Sequence, residues 1–181
     1  MKKLRKVIAI ALIFTMILPL GACGDSSPDA MTPHSKTGLY FDTVITITLY
    51  GNASKANKRL KETFKQAKYY ENLLSNTVKG SDISKINNAN GQYVKVHKDT
   101  LEALEAAVKY SEQSDGVFDL TVGDLSDLWD FKNNTGTVPD RQALNQALEH
   151  IDYRNVEING DRVRLKDPDA KIDLGGIAKG F

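Results

Sequence analysis

The chain has 181 residues, 41% hydrophobic and 26% charged, the balance of one globular domain with a tail. Its net charge is +1, but Lys2, Lys3, Arg5 and Lys6 are four of the 24 basic residues, and the other 20 are outnumbered by 23 acidic ones, so no basic face is left to neutralise phosphates and nucleic acid is not an expected partner. A single cysteine, Cys23, rules out an intrachain disulfide and a cysteine-built zinc cluster.

Residues 1–22 read as a secretory signal. A basic start precedes an apolar run over residues 7–18, too short for a comfortable membrane span. Leu20-Gly21-Ala22-Cys23 then resembles the end of a bacterial lipoprotein signal. That resemblance implies lipidation of Cys23 and a lipid-anchored place on the extracytoplasmic face of a bacterial cell membrane. Residues 23–38, rich in Ser, Asp, Pro and Thr, are expected to be a flexible tether, and residues 39–181 the folded portion.

Residues 40–50 (YFDTVITITLY) alternate with period two and predict one strand. Ile45, Ile47 and Leu49 share a face with Phe41, and Val44 and Tyr50 lie opposite. Gly51-Asn52 ends it. Residues 53–74 predict an amphipathic helix with Leu60, Phe64, Ala67 and Leu74 on one stripe. Ser81 or Asp82 is expected to cap a short helix holding Ile83 and Ile86. A short strand over 91–96 and a helix over 99–113 follow, with Thr100 the expected cap and Leu101, Leu104, Ala107 and Val108 facing inward.

Residues 114–131 place Asp115, Asp119, Asp124, Asp127 and Asp130 among apolar residues. A free carboxylate is costly to bury, so some must be paired or border a pocket. Asp124 and Asp127 are expected to serve caps and turns, Asp119 a ligand, and Gly116 to take positive φ. A helix over 142–151 and a hairpin over 155–165, turning at Asn159-Gly160, come next. His34, His97 and His150 are scattered and read as surface or structural residues.

The last stretch, KIDLGGIAKGF, reads as a short strand flanking Asp173, then Gly175-Gly176, then a helix start at Ile177. Glycines let the backbone approach a ligand, a helix N-terminus favours an anion, and Lys179 adds a charge. An ordinary strand-to-helix turn with a solvated lysine fits the same residues.

Four segments in order (FDTVITITLYG, LLSNTVKGSDISKIN, SDGVFDLTVGDLSDLW and IDLGGIAKG) resemble the FAD:protein FMN transferases of the ApbE type. The resemblance implies an α+β fold in layers, with amphipathic helices on a mostly antiparallel sheet, incomplete at the C-terminus. It implies an enzyme that binds FAD with Mg²⁺, breaks the pyrophosphate and attaches FMN to a threonine hydroxyl of an acceptor flavoprotein. By the same resemblance Phe41, Val117, Phe118, Asp119, Asp173 and Lys179 would contact the cofactor. Gly176 would give Mg²⁺ a backbone carbonyl, and no catalytic residue is assigned. Phe41-Asp42-Thr43 departs from the family's usual Met-Gly-Thr, and Thr77 stands where many relatives place an aromatic residue. The family pattern continues past Phe181, so residues 39–181 would be the N-terminal portion of a flavin transferase domain. The remaining metal ligands would lie further on. A lipid-anchored flavin or nucleotide-binding module without turnover is the alternative.

Overall fold

The computed structural model describes residues 32–130, 133 and 136–181. The expected signal over 1–22, Cys23 and the first part of the tether lie outside the described residues. The elements run β1 (Pro33–Tyr40), β2 (Thr43–Tyr50), α1 (Ala53–Leu74), α2 (Asp82–Asn87), β3 (Val94–Lys95), α3 (Lys98–Gln113), α4 (Gly123–Trp129), α5 (Arg141–Glu149), β4 (Val156–Asn159) and β5 (Arg162–Leu165), with a 3-10 turn at Tyr153–Asn155 before β4. This is an α+β chain with a β1-β2 pair and a three-stranded sheet ordered β3-β5-β4, antiparallel in both pairings. Among the described residues no helix is long and apolar enough to cross a membrane.

The chain divides into two compact units. One takes residues through Lys36 together with Ile47–Leu60; the other takes Thr37–Thr46 and Lys61–Phe181. In the first, the Ser35 and Thr48 hydroxyls pair at 2.8 Å, and His34 Nε2 lies 2.9 Å from Gly51 O. The Asn52 side chain accepts from Ser54 and Lys55 N–H, capping the α1 start, and Ala56 and Leu60 are buried.

The second unit holds the main core. Ile83 and Ile86 of α2, Ala103, Leu104 and Ala107 of α3, and Val163 and Leu165 of β5 meet Leu120, Ile172 and Leu174. Burying a leucine or isoleucine of this kind is worth about 1.5–3 kcal/mol. The α1 stripe is as expected, with Phe64 and Leu74 both buried. Ser81 caps α2, its hydroxyl accepting from Ser84 N–H at 2.9 Å.

Several expectations are corrected. The segment over 40–50 is not one strand: β1 begins at Pro33, inside the expected tether, and β1 and β2 are joined by a two-residue turn at Phe41-Asp42. Both turn residues have positive φ, 54° and 52°, as a type I′ hairpin requires. The phase along β2 is as expected, with Ile45, Ile47 and Leu49 half-buried and Val44 and Tyr50 exposed. The strand over 91–96 shrinks to two residues. α3 starts one residue earlier, capped by His97 Nδ1, while Thr100 is wholly buried and donates to Asp82 at 2.9 Å. The β4-β5 loop is Gly160-Asp161, one residue later than expected, with Gly160 at φ 59°.

Candidate functional site

The terminal segment is where the fold departs most from expectation. Lys171 makes a single parallel bridge with Val122; Ile172 to Leu174 form no strand. The backbone is instead stitched from two sides. Gly123 N–H donates to Lys171 O at 2.9 Å, and Asp173 N–H donates to Leu120 O at 2.8 Å. Asn87 accepts from Ile172 N–H and donates to Ile172 O, at 2.8 and 2.9 Å, as a neighbouring strand would. Beyond Leu174 the chain makes turns and no helix, with Ala178 N–H on Leu174 O and Phe181 N–H on Ile177 O. Gly175 N–H donates to Asp173 Oδ1 at 2.7 Å.

What these turns do build is a cavity of about 340 Å³, lined by Phe41, Asp42, Leu74, Ser75, Asn76, Asp173, Leu174, Gly175, Ala178 and Lys179. Phe41, Ala178 and Lys179 also border an apolar cleft with Ile45, Ala67, Tyr70 and Phe181. Asp42, Asn76 and Asp173 also border a carboxylate-lined one with Leu39, Thr77, Ser126, Asp127 and Asp130. Three of the expected contact residues, Phe41, Asp173 and Lys179, thus converge, although Phe41 is far away in sequence. Thr77, in place of an aromatic residue, donates its hydroxyl to Asp42 at 3.2 Å.

The tripeptide Val117-Phe118-Asp119 does not line this cavity. Val117 is 92% exposed. Phe118 touches Gly176, where an added Cβ would lie 3.1 Å from the Phe118 ring. Asp119 accepts hydrogen bonds within the fold. Its Oδ1 accepts from Thr121 N–H and hydroxyl, at 2.8 and 2.6 Å, and its Oδ2 accepts from Tyr153 N–H at 2.8 Å. It staples the loop before α4 to the 3-10 turn. Gly116 takes positive φ as expected.

Asp124 and Asp127 are not simply caps and turn residues. α4 has no side-chain cap, and both carboxylates face the Lys171 ammonium, Asp124 in close contact and Asp127 at 3.6 Å. The hydrogen bond that Lys171 donates to Asp124, against some loss of hydration, pushes the Lys171 pKa up. The lysine stays charged and ties α4 to the terminal segment. Asp130 does serve a turn, in the left-handed region at φ 40° and accepting from Asn133.

The histidines are structural, as read. His150 Nδ1 meets Asp167 Oδ2 at 2.8 Å, on a surface where Asp169 completes a group whose ligand-type atoms lie within 4.8 Å of one another. A larger cavity of about 620 Å³ runs past His150 and Asp169 to Lys171, but none of the expected cofactor contacts line it. The Asp167 hydrogen bond raises the His150 pKa above its ordinary 6.5, outweighing burial. Stability from this pair is fully present below 6.5 and is lost as pH rises through the raised value. We therefore expect the melting temperatures of wild type and His150→Ala to converge on the alkaline side in a pH series of thermal melts.

Sequence reasoning missed Asp42, Glu71, Ser75 and Asn76. Asp42, Ser75 and Asn76 lie inside the motif segments, but Glu71 reaches the site only through the hydrogen bond it accepts from Phe41 N–H across 30 residues, for which no local pattern exists.

The described residues form an α+β domain in which Asp173, Gly175 and Lys179 border a cleft with an apolar wing and a carboxylate-lined one. The chain belongs to the ApbE family, whose sequence model matches residues 41–181. It is 28% identical over 182 residues to the FAD:protein FMN transferase of Treponema pallidum, covering 95% of this chain and 50% of that protein. It is also 28% identical over 151 residues to the FAD:protein FMN transferase of Klebsiella pneumoniae, covering 82% of this chain and 47% of that protein. The crystal structure of the ApbE protein from Thermotoga maritima superposes with a TM-score of 0.73 at 32% identity, covering 82% of this chain and 49% of that one. The flavin transferase ApbE from Vibrio cholerae, at 22% identity and a TM-score of 0.71, shares the fold over 82% of this chain and 50% of its own. The chain spans about half the length of the curated relatives it matches.

Proposed function

We propose that the protein containing this chain is an FAD:protein FMN transferase. The observation that carries the reading is the convergence of Phe41, Asp173 and Lys179 on one cavity within the family match. The apolar wing, with Phe41, Ile45, Tyr70 and Phe181, suits a planar flavin ring. Lys179, which borders both the apolar wing and the central cavity, suits the diphosphate. In the transfer, an acceptor threonine Oγ bonds to the phosphorus of the FMN half. The bond from that phosphorus to the bridging oxygen breaks, AMP leaves, and the hydroxyl proton passes to solvent or a base.

The carboxylates of Asp42 and Asp173, with the oxygens of Ser75 and Asn76, are hard donors of the kind Mg²⁺ accepts. Asp173, together with the Gly176 carbonyl, is our assignment for holding the ion. When bound, Mg²⁺ neutralises charge on the leaving phosphate. The residues of the chain itself bind and orient: Lys179 draws the diphosphate in, and Phe41 bounds the ring. We further propose that residues 1–22 are a lipoprotein signal and that Cys23 carries the lipid. That would place the domain on the extracytoplasmic face of the membrane.

The test is FMN transfer by the full-length protein to a threonine-bearing acceptor flavoprotein, read by mass spectrometry and flavin fluorescence in gels. Asp173→Ala is expected to lower the rate by about 100-fold, the scale of losing a charge-stabilising group. FAD binding without any transfer would leave the binding-module alternative. Undiminished transfer by Asp173→Ala would remove Asp173 from the site.

A further inference from the structure

The turn that forms one wall of the cavity is strained. Phe41 and Asp42 both sit in the left-handed region, at φ 54° and 52°, where residues with a side chain are disfavoured and a bulky one most of all. Such a conformation persists only where the surroundings over-determine it. The β1-β2 pairing sets the turn, and two side chains add to it. Glu71, on the last turns of α1, accepts from Phe41 N–H through Oε1 at 2.9 Å. Thr77 donates to Asp42 from the loop after α1. The Glu71 side chain is only 12% exposed, and its other oxygen accepts from Lys68 at 2.9 Å. Both carboxylate oxygens are engaged, and one holds a backbone amide at the strained position.

We infer that Glu71 is a positioning residue for the cofactor site, holding Phe41 against the cavity by pinning the Phe41-Asp42 turn in its left-handed form. The inference rests on the proposed flavin-binding reading for its functional consequence, and on the geometry alone for its mechanism. Glu71 is not among the residues lining the cavity, so its effect passes through Phe41. Without the carboxylate, the Phe41 amide loses its acceptor and the turn relaxes toward negative φ, carrying the ring off the apolar wing. Glycine at position 42 adopts positive φ without strain and lessens the need for the latch.

The experiment compares full-length wild type, Glu71→Gln, Glu71→Ala, Asp42→Gly and the Glu71→Ala/Asp42→Gly double variant. FAD affinity is read by quenching of flavin fluorescence, and the state of the turn by hydrogen exchange of the Phe41 amide. Glu71→Gln keeps an acceptor oxygen and should stay within about threefold of wild type, while Glu71→Ala should weaken FAD by about tenfold, the scale of one charge-assisted hydrogen bond. In the Asp42→Gly background the Glu71→Ala factor should shrink to about twofold, a coupling read as a double-mutant cycle. A carboxylate that served only helix stability would show no such coupling. Equal affinity in Glu71→Ala and wild type, or an undiminished factor in the Asp42→Gly background, overturns the inference. Should wild type bind no FAD, the flavin reading falls and the amide still decides. Protection lost in Glu71→Ala and kept in Glu71→Gln supports the latch, and protection unchanged in both overturns it.

Discussion

Replacing Gly123 with alanine is expected to destabilise the protein by about 3 kcal/mol, the scale of overpacking combined with a lost buried hydrogen bond. Gly123 is buried at the start of α4, and an added Cβ would lie 2.7 Å from both the Cβ and the carbonyl oxygen of Lys171. The obstacle is mostly backbone, so no side-chain rotation relieves it. The segment at 171–173 must move away. That stretches the bond from Gly123 N–H to Lys171 O and the one from Asp173 N–H to Leu120 O. The Lys171 pairing with Asp124 is disturbed as well. For a domain of this size the melting temperature should fall on the order of 10 °C. On the proposed flavin reading, FAD affinity should fall with it, because Asp173 is displaced from the cavity. Thermal melts by circular dichroism and flavin titration check both. A variant that melts with wild type would show that the two segments are not in close contact.

Asp82→Ala should cost a similar amount, about 3 kcal/mol, because it strips the acceptor from buried donors. Asp82 is 5% exposed. Its carboxylate accepts from His97 N–H at 2.7 Å and from the wholly buried Thr100 hydroxyl at 2.9 Å, and it pairs with Lys85 at 2.9 Å. One side chain thus ties α2 to the start of α3. Burial by itself would raise the Asp82 pKa, but the bonds from His97, Lys85 and Thr100 outweigh it and hold the carboxyl below its ordinary 3.8. With the folded value depressed, its stabilisation is fully present above 3.8 and is lost as pH falls through the lower value. Urea unfolding of wild type and Asp82→Ala should differ by a constant amount near neutrality and converge only in strong acid. A gap that already closes near pH 6 would mean the carboxylate is not held as described.

Features with a local cause were legible without coordinates. α1 was bounded by Gly51-Asn52 and an unbroken apolar stripe, and the structure places it over the same residues. Of the two expected caps, Ser81 and Asp82, it is Ser81 that caps α2. The β4-β5 hairpin formed around a glycine at positive φ, though one residue along. Gly175 and Lys179 of the terminal motif line the cavity.

Other features were misread because their cause is distant. The turn at Phe41-Asp42 has no glycine and continues a period-two pattern, so nothing local breaks the strand. Pairing with Pro33–Tyr40 and the hydrogen bond to Glu71 impose it. Thr100 has the chemistry of a cap, but Asp82 offered it a buried partner and His97 took the cap. The hydrogen bond that Asp119 accepts from Tyr153 N–H likewise has no local signal.

The sequence by itself determined the helical stripes, the β4-β5 hairpin and family membership, because those are written in residue spacing and in motif order along one chain. Only the tertiary structure decided which carboxylates remain available to a ligand. A carboxylate's role depends on the donors that packing brings to it. Tyr153 reaches Asp119, Lys171 reaches Asp124, and the Phe41 amide reaches Glu71, all from segments remote along the chain.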